Sequence, residues 1–288
     1  MELDFATCAV NRPELLDITY SSLQKHLKGV DFNKSKLYIH IDKTPTNENI
    51  NEVEKVARKY FKNTVVKYTD EDKMPRYSRS FKWVMEQPKG EYFFYIEDDW
   101  RFVKDFHINQ FIKKINQTED IKFVILNNNW THMGPNVPKF SRRKEKFNIN
   151  YKPKEVVCTT PSFYDNKFIQ KHTNEINEVG FAAEPQLIDI ARNNNVRAVW
   201  YSDINHYYCE DLGAPWKDQN EISGSDIDLF CYYNLCENCK KPVPKKIYFC
   251  EICRRRWCSQ KCKDEQIEEH KKFCEIIPKN KRNGFMGV

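Results

Sequence analysis

The sequence predicts an α/β fold: a mainly parallel sheet with helices on both faces, followed by a small cysteine-rich module. Short apolar runs rich in β-branched and aromatic residues alternate with amphipathic stretches of helical period, which predicts the sheet. The run "YFFYIEDDWRF" at 92–102 ends on three consecutive acids, Glu97, Asp98 and Asp99. Ligands of parallel sheets bind beyond the carboxyl ends of the strands, so acids placed there are candidates for chemistry rather than an inert turn. Seven of the 11 cysteines fall within 236–274, which predicts the C-terminal module.

Each element follows from its residues. "LDFATCAV" at 3–10 reads as a strand, and "NRPELLDITYSSLQKHL" at 11–27 as a helix with Pro13 in its first turn. Leu15, Leu16, Ile18, Leu23 and Leu27 supply that helix with an apolar face. "KLYIHID" at 36–42 is a second strand, followed by a polar turn and a helix over 50–60. "TVVKYT" makes a third strand and "RYSRSFKWVMEQ" a third helix, leading into the strand at 92–96. That strand lacks polar alternation and is expected to be buried on both faces. "KFVILNN" and "EVVCTTPSFYDNKFI" are strand-like and joined by a basic loop containing "KFSRRKEKF". A helix over about 185–192 and the strand "VRAVWYS", ending near His206, complete the domain. The polar stretch "WKDQNEISGSD" marks its boundary near residue 222, so the division is 1–222, a linker at 223–235, the cysteine module at 236–274 and a basic tail at 275–288.

Bulk properties narrow the function. A hydrophobic content of 40% is enough for a packed core and excludes wholesale disorder. Eight glycines in all disfavour glycine-rich phosphate loops. No apolar run approaches the ~20 residues of a spanning helix, and "MELDFATCAV" lacks a basic leader region. A cytoplasmic chain without a membrane span is expected, with the sequons at Asn116 and Asn129 unused. Residues 236–288 carry 14 Lys+Arg against 7 Asp+Glu, whereas the rest holds 33 against 34. The basic character therefore belongs to the tail, and nucleic acid is not an expected partner of the main domain.

The tail reads "CENCKKPVPKKIYFCEICRRRWCSQKCKDEQIEEHKKFC". Its eight candidate ligands are Cys236, Cys239, Cys250, Cys253, Cys258, Cys262, His270 and Cys274. Structural zinc takes four thiolate or imidazole ligands, so eight make two sites. A disulfide framework is the competing reading; a histidine within the pattern and no secretion signal favour two Zn²⁺. The spacing resembles the MYND-type zinc finger. That resemblance implies a cross-braced pairing, with Cys236, Cys239, Cys258 and Cys262 on one ion and Cys250, Cys253, His270 and Cys274 on the other. It also implies a protein or peptide partner for this module. Cys8, Cys158, Cys209 and Cys231 lie elsewhere and read as buried small side chains.

Over about 3–216 the order of elements resembles glycosyltransferases of the GT-A, nucleotide-diphospho-sugar-binding fold, closest to family 2. "TCAVNRPELL" resembles that family's opening strand, turn and helix, and "IHID" its second strand with a terminal acid that contacts the nucleobase. "SRSFKWVMEQPKGEYFFYIEDD" resembles the helix and strand leading into the acidic D-x-D motif, here with Glu97 as the first acid. "AAEPQLIDIARNNN" resembles the segment whose acid acts on the acceptor, although Ala183 stands where a paired acid is common.

The resemblance implies a metal-dependent transferase moving a sugar from a nucleotide-diphospho-sugar donor to an acceptor hydroxyl on a glycan or protein, with inversion mildly favoured. Thr7, Asn11, Arg12, Asp42, Arg79, Glu97 and Asp98 would bind the donor. Asp99 would coordinate Mn²⁺ or Mg²⁺, His206 would complete that site, and Glu184 would be the general base. Trp100, Trp130 and Trp216 are candidates for stacking on sugar rings, with core packing the commoner use of such residues. Two rivals stand beside this reading. One is an adaptor built on the finger with an inactive α/β domain. The other is a nucleotidyltransferase, which would carry a glycine- and lysine-rich phosphate loop that "CAVNRPELL" lacks.

Overall fold

The computed structural model describes residues 1–42, 50–69, 77–126, 147–149, 160–178, 183–201, 207–213, 248–249, 256–257 and 260–265. Its centre is an eight-stranded sheet. The strands are β1 (Asp4–Ala9), β2 (Lys36–Ile41), β3 (Asn63–Tyr68), β4 (Tyr92–Glu97), β6 (Ile121–Leu126), β7 (Phe147–Ile149), β8 (Ser162–Asp165) and β9 (Arg197–Tyr201). Two further strands, β5 (Trp100–Phe102) and β10 (Cys209–Asp211), pair with each other outside it. The order across the sheet is β3-β2-β1-β4-β8-β6-β9-β7. The first four strands are parallel. β8 runs antiparallel between β4 and β6, β9 returns to parallel alongside β6, and β7 is antiparallel at the edge.

Period-2 alternation along the strands divides the core in two. Phe5, Ala9, Phe94 and Ile96 face one side, where they meet α1 (Pro13–His26), α2 (Ile50–Tyr60) and α4 (Ile108–Asn116). Ala6, Cys8, Phe93 and Tyr95 face the other, against α3 (Tyr77–Glu86), α5 (Asn166–His172) and α6 (Ala183–Asn193). Phe5, Phe93, Phe94 and Tyr95 are fully buried, and each such side chain contributes roughly 1.5–3 kcal/mol relative to exposure. Helices thus cover both faces, as the uniformly apolar strands require.

Pro13 occupies the first turn of α1, and α2 has the bounds that its pattern predicts. Asn195, with φ 54°, turns the chain from α6 into β9, a left-handed conformation that asparagine tolerates better than most residues. Three local readings change. Of the segment read as strand-like over 155–169, the described residues 160–169 are strand at Ser162–Asp165; after it, Asp165 caps α5 by accepting from the Phe168 N–H at 3.1 Å. The sequence reading also passed over α4, although Ile108, Phe111, Ile112 and Ile115 follow helical spacing. The β5–β10 pair was missed as well, because three-residue strands carry too little pattern to stand out.

Near the C-terminus, Tyr248–Phe249 and Arg256–Trp257 form an antiparallel pair, and Gln260–Glu265 is a helix. Among the described residues no helix is long and apolar enough to cross a membrane.

Candidate functional site

The parallel arrangement of β1, β2 and β4 brings their carboxyl ends to one edge: Val10–Arg12 after β1, Asp42 after β2, and Glu97 to Asp99 at the end of β4. In the β1–β4 register Cys8 lies opposite Glu97. Three acids in succession repel one another, and the chain separates them by giving each a different direction.

Asp98 turns inward. Its carboxylate accepts from the Val10 N–H at 2.9 Å and pairs with Arg12 Nη2 at 2.5 Å, and its side chain is only 3% exposed. Arg12 also reaches Asp99, with Nη1 3.2 Å from Oδ2. The Asp99 side chain is 17% exposed, so of these two acids it keeps the greater solvent contact. Glu97 turns to the other face of the sheet, where it accepts from Tyr77 Oη at 2.7 Å; Tyr77 and Tyr95 share a hydroxyl contact of 2.9 Å. Helix α1 grips the turn's backbone: Thr19 donates to the Asp98 carbonyl at 3.1 Å and accepts from the Trp100 N–H at 3.0 Å, and Ser22 accepts from the Phe102 N–H at 3.0 Å. Side-chain hydroxyls supply the Trp100 and Phe102 bonds because β5 pairs with β10 along one edge, and the N–H groups of the other edge face α1.

The electrostatics follow from this burial. Glu97 is pushed well above the ordinary carboxylate range by burial first and the Asp99 charge second; the Tyr77 hydroxyl pulls back, and Glu184 raises it further. Asp98 is pushed up to about 6 by burial, with Arg12 and the Val10 N–H opposing and Asp99 adding to the rise. Through this charge interaction Glu184, half-buried in the first turn of α6, is felt at the acid turn.

Strand β10 closes the other side. Its ladder pairs Asp211 with Trp100 and Cys209 with Phe102, the Leu212 N–H donates to the Asp99 carbonyl at 2.8 Å, and Arg101 pairs with Glu210. This places Asp211 beside Asp99 near Gly213. Sequence reasoning missed Asp211; "CEDLG" holds an acid before a glycine, but nothing local says which strand it joins.

No protein-family model and no curated protein sequence matches the chain. Solved structures do resemble it. TarS from S. aureus superposes with a TM-score of 0.53 at 17% identity, over 77% of this chain and 38% of that one. TarS 1-349 in complex with UDP-GlcNAc gives 0.51 at 17% identity, over 73% and 58%. The mannosyltransferase PcManGT from Pyrobaculum calidifontis, in complex with GDP-Man and Mn²⁺, gives 0.51 at 11% identity, over 74% and 57%. The fold is of the GT-A type. The chain covers less than two thirds of the length of each of these structures.

On this GT-A sheet the expected site residues fall into three groups. Arg12, Glu97, Asp98 and Asp99 come together at the strand edge, with Asn11 in the adjoining turn and Glu184 within electrostatic reach. Others have structural partners or are packed in the core. Thr7, expected to touch the donor, is fully buried in β1 and its hydroxyl accepts from Tyr20 Oη at 3.0 Å, so the strand's alternation turns it into the core. Asp42 is 1% exposed; Thr69 donates to its Oδ1 and Ser80 to its Oδ2, the latter at 2.7 Å. Arg79 pairs with Glu178 at 3.7 Å, beside Lys82. Trp100 packs in the core at 4% exposure rather than on the surface as a stacking platform.

His206, Trp130, Trp216, Cys236, Cys239, Cys250, Cys253, Cys258, His270 and Cys274 lie outside the described residues, as does the side chain of Cys262. Among the described residues no three acids, histidines or cysteines form a ready metal cage. Asp99 with Asp211 nearby nevertheless fits Mg²⁺ or Mn²⁺, since such ions are commonly bound through one or two carboxylates and complete their shells with water and phosphate oxygens.

Proposed function

We propose that the chain is a glycosyltransferase that moves a sugar from a nucleotide-diphospho-sugar to an acceptor hydroxyl. The observation that carries this is the acid turn after β4, in which Arg12 and the Val10 N–H hold Asp98 inward while Asp99 keeps contact with solvent at the sheet's carboxyl edge. Two structures of the same fold hold UDP-GlcNAc, or GDP-Man with Mn²⁺, and this supports a donor of the same chemical class. A divalent cation held by Asp99, with Asp211 beside it, would neutralise the diphosphate as it departs.

The chain's own residues supply the rest. Arg12 fixes the direction of the Asp99 carboxylate before the donor arrives, so the site needs little reorganisation. Glu184 accepts the proton of the acceptor hydroxyl as its oxygen bonds to the anomeric carbon and the bond from that carbon to the diphosphate breaks. One such displacement inverts the anomeric centre. Glu97, held by Tyr77 and disfavoured as an anion by burial, orders the turn without adding a third close charge.

In this reading residues 236–274, beyond the linker at 223–235, form a separate MYND-like module that carries two Zn²⁺ and recruits a protein or peptide. The short antiparallel pair of Tyr248–Phe249 with Arg256–Trp257 and the helix Gln260–Glu265 are compatible with it.

Calorimetric titration of UDP-GlcNAc and GDP-Man in Mn²⁺ tests the transferase reading. The parent should bind one of them; Asp99→Asn should lose that binding and roughly a hundredfold or more of turnover. Glu184→Gln should lose turnover and keep donor binding, because the base touches only the acceptor. Metal-dependent binding by Asp99→Asn equal to the parent's would sink the reading.

A further inference from the structure

The segment after β10 touches the acid turn more closely than side chains alone would allow. A Cβ at Gly213 would stand 2.2 Å from Asp99 Oδ2, 3.1 Å from Asp99 Cγ and 3.1 Å from Asp211 Oδ1. Ordinary van der Waals contact for such a carbon begins at about 3.4 Å, well outside the first of these distances. The positive-φ glycine among the described residues is Gly29, so Gly213 is not needed for an unusual backbone torsion. The lack of a side chain matters here because of space.

The backbone leading into Gly213 has little freedom to yield. The Leu212 N–H donates to the Asp99 carbonyl at 2.8 Å, the Gly213 N–H donates to Asp211 Oδ1 at 2.7 Å, and the β5–β10 ladder fixes the register. The Asp99 carboxylate is the end of a short side chain and can rotate. The oxygen nearest Gly213 is also the one that Arg12 Nη1 approaches at 3.2 Å, so its rotation would break that pairing.

We propose that Gly213 is a positioning residue: its missing Cβ leaves the space that the Asp99 carboxylate occupies while it faces Arg12. The proposal rests on the reading that Asp99 holds the donor's cation, and it adds a residue on which that role depends. In this role Gly213 acts through Asp99. Alanine should therefore turn the carboxylate away and leave the sheet intact.

The test has two arms. In the first, the stabilities of Gly213→Ala, Asp99→Ala and the double variant are compared by denaturant unfolding with EDTA present. Gly213→Ala should destabilise the parent and cost clearly less once Asp99→Ala has removed the nearest clash, leaving the 3.1 Å approach to Asp211; additive effects would overturn the proposal. In the second, Mn²⁺-dependent binding of UDP-GlcNAc and GDP-Man is measured for the parent and Gly213→Ala. Gly213→Ala should weaken binding roughly tenfold or more. Unchanged binding by Gly213→Ala overturns the proposal. A parent that binds neither donor overturns the transferase reading instead, and the unfolding arm alone then decides whether Gly213 positions Asp99.

Discussion

Arg12 and Asp98 form a buried fork: Nη2 lies 2.5 Å and Nε 3.4 Å from the carboxylate oxygens, with side-chain exposures of 7% and 3%. The pair joins the turn after β1 to the turn after β4, and through Arg12 it extends to Asp99. Removing one member leaves the other buried without its partner.

Arg12→Ala should therefore destabilise the domain by about 3–5 kcal/mol, the range for breaking a buried ion pair from one side. Arg12→Lys keeps a cation but loses the planar fork, and should fall between the two. Urea unfolding monitored by circular dichroism measures both. A loss below about 1 kcal/mol for Arg12→Ala would mean that the pair behaves as an exposed one.

The raised carboxyls predict a pH dependence whose sign can be worked out. Asp98 and Glu97 ordinarily ionise near 3.8 and 4.5, and in the folded state both are raised, Asp98 to about 6. Between the unfolded and folded values the native state binds more protons, so their contribution to stability falls as pH rises through that window. Carboxylates lowered by partners, such as Asp17 beside Lys59 and Asp120 beside Arg197, contribute with the opposite sign. The informative quantity is thus the difference between parent and Glu97→Gln, unfolded by urea in EDTA from pH 4.5 to 7. The variant should lose less stability over this range, and parallel curves would show that Glu97 titrates at an ordinary value.

The cysteine tail predicts two zinc ions per chain, since eight ligands divide into two sets of four. Native mass spectrometry of freshly purified protein should find both, and chelation should unfold the module because its folding energy comes largely from the metal. Cys250→Ser should lose one ion or both. Disulfides among these cysteines in metal-free protein would reject the expectation.

Much of the fold was legible because its signals are local. Pro13 marks the first turn of α1, Val53 and Ala57 lie on the buried face of α2, and the unbroken apolar run of β4 requires cover on both sides. The insertion of antiparallel β8 between β4 and β6 was not legible, since pairing is a contest among strands far apart in the chain. Helix α4 was legible and was passed over, although Phe111 and Ile115 show its period.

The site divides the same way. The sequence by itself determined which side chains are on hand: three acids at the end of a buried strand, an arginine after the opening strand, a glutamate at the start of a later helix, and seven cysteines and a histidine at spacings that read as metal ligands. Periodicity and spacing encode these because they depend on neighbours along the chain. Only the tertiary structure decided directions and partners. It turned Asp98 inward to Arg12 and Glu97 to Tyr77, enclosed Thr7 and Asp42, and brought Asp211 and Gly213 to Asp99 through a ladder in which Arg101 and Glu210 pair across 109 positions. The physical reason is that a side chain's direction at a turn follows from backbone torsions and packing, and those are settled by distant segments meeting in space.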